Sequence, residues 1–138
     1  MTPKFHLAFP VNNLELTREF YTKILGCTLG RESDKWIDFN FYGHQVVAHL
    51  SPEDCKIPKT NPVDGDHVPA RHFGVILPWD RWEELCEKIK NDGVEFFIKP
   101  RKRFRNNPGE QRTFFIQDPS ENVLEFKSFK NDSDIFIK

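Results

Sequence analysis

The sequence predicts an α+β fold: two βαβββ modules paired about a pseudo-twofold axis, forming a concave mixed sheet with helices on the outside. Three observations carry this expectation. A strand-like stretch, an amphipathic helical stretch and three more strand-like stretches follow one another in the first half. The same order recurs in the second half, after a segment rich in Pro and Asp. A histidine, His6 or His72, stands near the start of each copy. The expected organisation is one domain over residues 1–138, with module one at about 4–51, a linker at about 52–69 and module two at about 70–129.

The elements are read from periodicity and from punctuating residues. Residues 5–11 alternate as a strand. Residues 14–25 follow a helical period, with Asn12 or Asn13 as cap, Gly26 as stop, and Thr17, Phe20, Tyr21, Ile24 and Leu25 as the inward stripe. Strands are expected at 27–33, 36–41 and 45–50, the last two joined by the hairpin signal Tyr42-Gly43-His44. After the linker, residues 71–77 read as a strand. Asp80 opens a helix, with Glu83 placed as in a capping box. Trp82, Leu85, Cys86 and Ile89 make its buried stripe, and Gly93 ends it. Strands at 94–99, 112–117 and 123–129 complete the copy, with the basic run 101–105 and residues 106–111 as a long loop.

Composition narrows the function classes. The 138 residues are 38% hydrophobic and include 14 Phe, enough for a largely aromatic core. Charge is spread along the chain and nets −1, which argues against nucleic acid and against an acidic membrane surface as partners. Cys27, Cys55 and Cys86 lack zinc-finger spacing and read as free thiols of a reducing compartment. The start MTPKFHLAFP carries no signal-peptide pattern, and no apolar run approaches the roughly 20 residues of a membrane span. A cytoplasmic protein is expected.

Strand alternation then selects the chemistry. In the first strand Phe5, Leu7 and Phe9 share the apolar face while His6 and Ala8 point the other way. In the strand at 71–77, Phe73, Val75 and Leu77 face inward while His72 and Gly74 do not. Glu125 alternates with Leu124 and Phe126, and His49 with Ala48 and Leu50. His6, His72 and Glu125 are the expected metal ligands, because two imidazoles and a carboxylate suit a divalent transition metal with open positions, as in non-haem Fe(II) oxygenases. Fe(II) is favoured, with Mn, Ni, Zn or Co as other occupants. His49 is expected as a fourth ligand or as a catalytic acid/base. Trp36, Asp38 and Asn40 face the same cleft as candidate substrate-binding residues, and Arg112 is a candidate for a substrate carboxylate, against plain packing or surface pairing. The basic run from Arg101 to Arg105 either closes over an anionic substrate or is simply solvated. His44 reads as a solvated turn residue, His67 as part of the linker, and Lys127 as a strand end.

The stretches Phe5-His6-Leu7-Ala8, Phe20-Tyr21-x-x-Ile24-Leu25-Gly26, His72-Phe73-Gly74-Val75 and Asp118-Pro119-Ser120-x-Asn122-x-x-Glu125-Phe126 resemble the vicinal-oxygen-chelate superfamily. That superfamily includes glyoxalase I, extradiol dioxygenases, fosfomycin-resistance enzymes and bleomycin-binding proteins. Trp36-Ile37-Asp38-Phe39, the run from Gly43 to Leu50, and Pro108-Gly109-Glu110-Gln111 resemble a small dioxygenase-like branch of it. The resemblance implies a metal-dependent enzyme that chelates neighbouring oxygens of a small-molecule substrate, an extradiol-type dioxygenase first. Glyoxalase, lyase or thiol–epoxide chemistry, or non-catalytic binding, are the alternatives. It also implies a homodimer, and it places the metal triad on His6, His72 and Glu125. Glyoxalase I resemblance would ask for a glutamate where His49 stands.

Overall fold

The computed structural model describes residues 2–138. These divide into two compact units, one taking in the chain up to Ile57 together with Asp118–Asn122, the other Pro58–Gln117 with Val123–Lys138. The first unit contains β1 (His6–Val11), α1 (Leu14–Glu19), β2 (Thr28–Glu32), β3 (Trp36–Phe41) and β4 (His44–Leu50). The second contains a hairpin, β5 (Thr60–Val63) and β6 (Asp66–Pro69), then β7 (Phe73–Ile76), α2 (Trp79–Asn91), β8 (Phe96–Arg103), β9 (Gln111–Gln117) and β10 (Val123–Phe129). Among the described residues the larger sheets run β1-β4-β3-β2 and β7-β10-β9-β8. Each repeats one plan: its first strand lies parallel to its last, and the other pairs are antiparallel. The expected βαβββ order is present in both copies. No helix among the described residues is long and apolar enough to cross a membrane.

The first helix departs from the expected regular one. Asn13 caps it, its Oδ1 accepting from Leu16 N at 2.9 Å. From Phe20 to Ile24 the chain widens into a π-helical turn, closed by Leu25 N donating to Phe20 O at 3.3 Å. Two hydroxyls reach back to the carbonyls four residues earlier, Thr17 to Asn13 and Thr22 to Arg18. Such bonds compete with the regular ladder and loosen it. The stripe is kept nonetheless, with Thr17, Phe20, Tyr21 and Leu25 buried. In α2 the expected capping box does not form. The helix begins at Trp79 behind Pro78, without a side-chain cap, and Glu83 pairs with Arg112 on β9 instead. Its stripe of Trp82, Leu85, Cys86 and Ile89 is buried as expected.

Three further readings change. Phe5 precedes β1 and is 62% exposed, so the inward face of β1 is anchored by Phe9 and Val11 at its far end, with Leu7 half-buried. The segment read as a linker holds the β5–β6 hairpin, turned by Asp64 and Gly65, both at positive φ. An Asp-Gly pair suits that two-residue turn because both positions demand left-handed backbone. The basic run is not a free loop either, since β8 extends to Arg103. Arg101 binds Asp66 and the Val63 carbonyl, and Arg103 binds Asp64, so two guanidiniums pin the hairpin. Val68 of the hairpin packs with Ile98, Phe115 and Val123.

The segment Asp118-Pro119-Ser120-Glu121-Asn122 is an anchor within the first unit. Asp118 accepts from the Tyr21 hydroxyl at 2.8 Å, from Ser120 N and Asn122 N, and from the Asn122 amide. The same amide donates to the Pro10 carbonyl at 2.8 Å. Burial pushes the Asp118 carboxyl up, against the bonds from Asn122, Tyr21 and Ser120. Burial, then the Asp118 charge, push the Tyr21 phenol well above its ordinary value. Tyr21→Phe removes one donor from a buried carboxylate and should cost about 1–3 kcal/mol at neutral pH. A phenol whose folded pKa is raised adds stability below its unfolded value of about 10 and loses it as pH rises further. Denaturant melts of both proteins should therefore show the gap between them narrowing above that pH. A gap that stays constant would mean Tyr21 ionises as freely folded as unfolded.

Candidate metal centre

His72 sits in the turn immediately before β7, and Glu125 lies on β10 opposite Gly74. Their side chains meet, with His72 Nε2 and Glu125 Oε1 3.2 Å apart and 28% and 15% exposed. The other ring nitrogen, Nδ1, lies 2.7 Å from the Pro69 carbonyl, which can only accept, so Nδ1–H donates. In the neutral ring, Nε2 then turns a bare lone pair toward a carboxylate. That arrangement calls for a positive charge between them: a second proton on the imidazole, or a metal ion. The bond to Glu125 raises the His72 pKa, which is the first of these outcomes.

Glu125 is prepared in the same way. Thr113 Oγ1 donates to its Oε2 at 2.6 Å, and Lys127 Nζ stands 3.8 Å from that oxygen. Burial pushes the carboxyl up, but the bonds from His72 and Thr113 outweigh it and hold Glu125 below the usual range. It is therefore an anion at neutral pH, as a metal ligand must be. The Phe115 ring stands edge-on to His72 at 5.3 Å. A cavity of about 260 Å³ opens here, lined by His72, Gly74, Ile76, Glu125 and Lys127 among others. Ligand basicity and orientation in metal sites depend on such outer hydrogen bonds. By donor type, tautomer and charge, the His72–Glu125 pair fits a divalent cation.

In the first unit, His6 opens β1 on the exposed face, and its Nδ1 lies 2.8 Å from Gln45 Oε1. His6 and Gln45 are register partners, as are Ala8 and Val47. With His6 and His72 as counterparts, the position matching Glu125 is Val47, so this unit supplies one imidazole and no carboxylate partner at that place. Among the described residues no group of three His, Cys, Asp or Glu stands ready-made for a metal.

The other expected site residues fall in different places. His49 is exposed on β4, opposite Pro10 on one side and Trp36 on the other. It is four residues from Gln45, about 13 Å along the strand, so the unit does not bring it to His6. Asp38 lies within 3.5 Å of Gln45 Nε2, and Asn40 accepts from Gly43 N in the β3–β4 turn. Trp36 is half-buried at the start of β3. Asp38, Asn40 and Gln45 line a cleft of about 590 Å³ with Lys4, Arg31 and His44. Arg112 is corrected: it points to the face opposite Thr113 and Glu125, where it binds Glu83 and the Trp79 carbonyl and stacks over Trp79 and Trp82. Its guanidinium is committed to α2 and the residue is only 8% exposed, which leaves little of it for a substrate carboxylate. His44 is also corrected, since its Nδ1 accepts from Phe5 N at the start of β4.

Sequence reasoning missed Thr113, Gln45 and Pro69. Thr113 carried a signal, a lone hydroxyl in the otherwise aromatic and aliphatic stretch Thr113-Phe114-Phe115-Ile116. The Pro69 carbonyl carried none, because backbone acceptors have no side-chain signature.

A family model for the Glyoxalase/Bleomycin resistance protein/Dioxygenase superfamily matches residues 5–126. The chain belongs to this superfamily. A glyoxalase/bleomycin resistance protein/dioxygenase from Alicyclobacillus acidocaldarius is 33% identical, with 97% of this chain and 96% of that one covered and a TM-score of 0.79. The fosfomycin resistance protein FosX from Listeria monocytogenes shares the fold at 17% identity, 97% and 98% coverage and a TM-score of 0.73. A lactoylglutathione lyase from Agrobacterium tumefaciens does so at 13% identity, 93% and 94% coverage and a TM-score of 0.64. The superfamily, also known as vicinal oxygen chelate, generally uses divalent metal ions.

Proposed function

We propose that this chain is a metal-dependent enzyme acting on a small substrate with two neighbouring oxygens, and that His6, His72 and Glu125 serve as metal ligands. The observation that carries the reading is His72 Nε2 facing the Glu125 carboxylate at 3.2 Å, each group fixed from behind. When bound, the metal supplies a Lewis acid and a template for the chelating oxygens. Two imidazoles and one carboxylate leave coordination positions open, which supports an extradiol-type dioxygenase using Fe(II) as the specific form. In that form the chain's own groups have separate tasks. Thr113 and the Pro69 carbonyl keep Glu125 and His72 in their protonation states. His49, the exposed imidazole on β4 paired with Trp36, is proposed to carry protons on the substrate side of the cleft rather than at His6 itself, and Trp36 lines that side. The working unit is proposed to be a homodimer, a reading that rests on the family resemblance and that light scattering checks.

Metal content of anaerobically purified protein tests the reading. About one metal per chain is expected, with iron leading on to oxygen uptake on catechols. His72→Ala should lose the metal. His49→Gln should keep it and change the pH profile of turnover. A native chain that takes up no metal on reloading would leave non-catalytic small-molecule binding as the better account. Full metal without oxygen uptake would favour lyase or thiol–epoxide chemistry at the same site.

A further inference from the structure

We infer that Gln45 and Asp38 are positioning residues for His6: together they dictate which ring nitrogen carries the proton, and so keep Nε2 bare for a metal. The inference deepens the metal reading above and rests on it for the use of the bare nitrogen, but not for the tautomer itself.

His6, Gln45 and Asp38 stand on β1, β4 and β3, three strands adjacent in that order. His6 and Gln45 are direct partners across the parallel pair. Asp38 lies diagonal to Gln45, whose direct partner on β3 is Asn40. The three side chains form a row across one face of the sheet. Gln45 Nε2 donates to Asp38 Oδ2 at 3.5 Å, and Gln45 Oε1 faces His6 Nδ1 at 2.8 Å.

An amide can be read in two orientations, and the neighbour at each end decides between them. An ionised carboxylate only accepts, so Asp38 draws the amide NH₂ toward itself. The reverse orientation would set the amide oxygen against a carboxylate oxygen. With the NH₂ held by Asp38, the oxygen faces His6, and an oxygen can only accept. His6 Nδ1 must therefore carry the proton, and in the neutral ring Nε2 is left with its lone pair. The flipped amide would instead donate to Nδ1 and place the ring proton on Nε2, where it blocks a metal.

The second unit gives independent support. His72 also has its Nδ1 committed to an oxygen that can only accept, the Pro69 carbonyl at 2.7 Å. A side-chain amide in one unit and a backbone carbonyl in the other impose the same tautomer on both histidines. Packing alone has no reason to choose the same nitrogen twice. A shared use for Nε2 does, and outer hydrogen bonds of this kind are what tune imidazole ligands. Asp38, expected from the sequence to contact substrate, thereby acquires a different role.

The test uses the full-length, metal-free chain with isotope-labelled histidine, read by NMR at a pH above the imidazole range, beside calorimetric titration with Mn(II). Wild-type His6 should show the single Nδ1–H tautomer. Gln45→Leu should give a mixture of tautomers and weaken Mn(II) binding by about 10–100-fold. Gln45→Glu combined with Asp38→Ala presents only oxygen to His6 without setting two carboxylates against each other, and should restore both the tautomer and most of the affinity. Asp38→Ala frees the amide to flip and should give a mixture with a smaller loss. The His72 signals should stay unchanged throughout, which separates positioning from general loosening. A wild-type His6 protonated on Nε2, or a tautomer that Gln45→Leu leaves intact, would overturn the inference. Should the tautomers shift as stated while wild type binds no Mn(II), the hydrogen-bond relay is upheld and the metal reading above is what falls.

Discussion

Gly74→Ala is expected to lower stability by about 3 kcal/mol, roughly 10 °C in melting temperature, and to disable the proposed metal site with it. Gly74 lies opposite Glu125 in the parallel β7–β10 pair. A Cβ at Gly74 would lie 1.6 Å from the Glu125 carbonyl oxygen, 2.6 Å from its carbonyl carbon and 3.1 Å from its nitrogen. These are backbone atoms of a central strand, so no rotamer change relieves the overlap. The strands must part or slide, and both movements act on the spacing between His72, two residues before Gly74, and Glu125. Ala8, the equivalent position in the first unit, carries a Cβ beside Val47, where no carboxylate has to be placed. The close approach is thus specific to the half of the repeat that holds the acid. Thermal melts and metal titration of the variant check this. Unchanged melting with unchanged affinity would show that β7 has room the geometry does not grant it.

The repeat, the strand faces and the histidine–glutamate pair were legible in the sequence because each follows from a period. His6, His72 and Glu125 announce themselves as polar residues out of phase with Phe9, Leu77 and Leu124. What escaped follows from interactions that leave no period. Arg112 read as a candidate for a substrate carboxylate or for surface pairing, yet its fate was decided by Trp79 and Trp82, which come near only once α2 packs on β9. Glu83 fits a capping box by spacing, but its carboxylate goes to that buried guanidinium. The π-helical turn depends on two threonine hydroxyls competing with the backbone. The hairpin was legible in principle, because Asp64-Gly65 between Val63 and Val68 is a turn signal. The surrounding prolines and charges masked it. That hairpin matters to the site, since Pro69 at its end holds His72. A segment that composition marks as a connection therefore supplies the acceptor that sets the tautomer of His72.

The second large effect is expected at Glu125. Glu125→Gln should weaken metal binding by more than about 100-fold while leaving the metal-free fold within about 1 kcal/mol of wild type. The two expectations have one origin. The amide is isosteric with the carboxylate, so its oxygen still accepts from Thr113, and its NH₂ can donate to the bare Nε2 of His72. The fold keeps its hydrogen bonds. The site loses the anion that offsets a divalent charge, and places an N–H where a metal must bind. Thr113→Val, which keeps the side chain's shape but removes the donor, should have the smaller effect of about 10–100-fold, as is usual for the partners of a ligand. The two changes should not add. With no carboxylate to orient, Thr113→Val in the Glu125→Gln background should cost almost nothing further, since residues that act through one another share a single loss. Metal titration of the four proteins, with melts of the metal-free forms, reads every term of this cycle. Additive losses would mean that Thr113 acts on the site by some route other than Glu125. Wild-type affinity in Glu125→Gln would remove the carboxylate from the ligand set altogether.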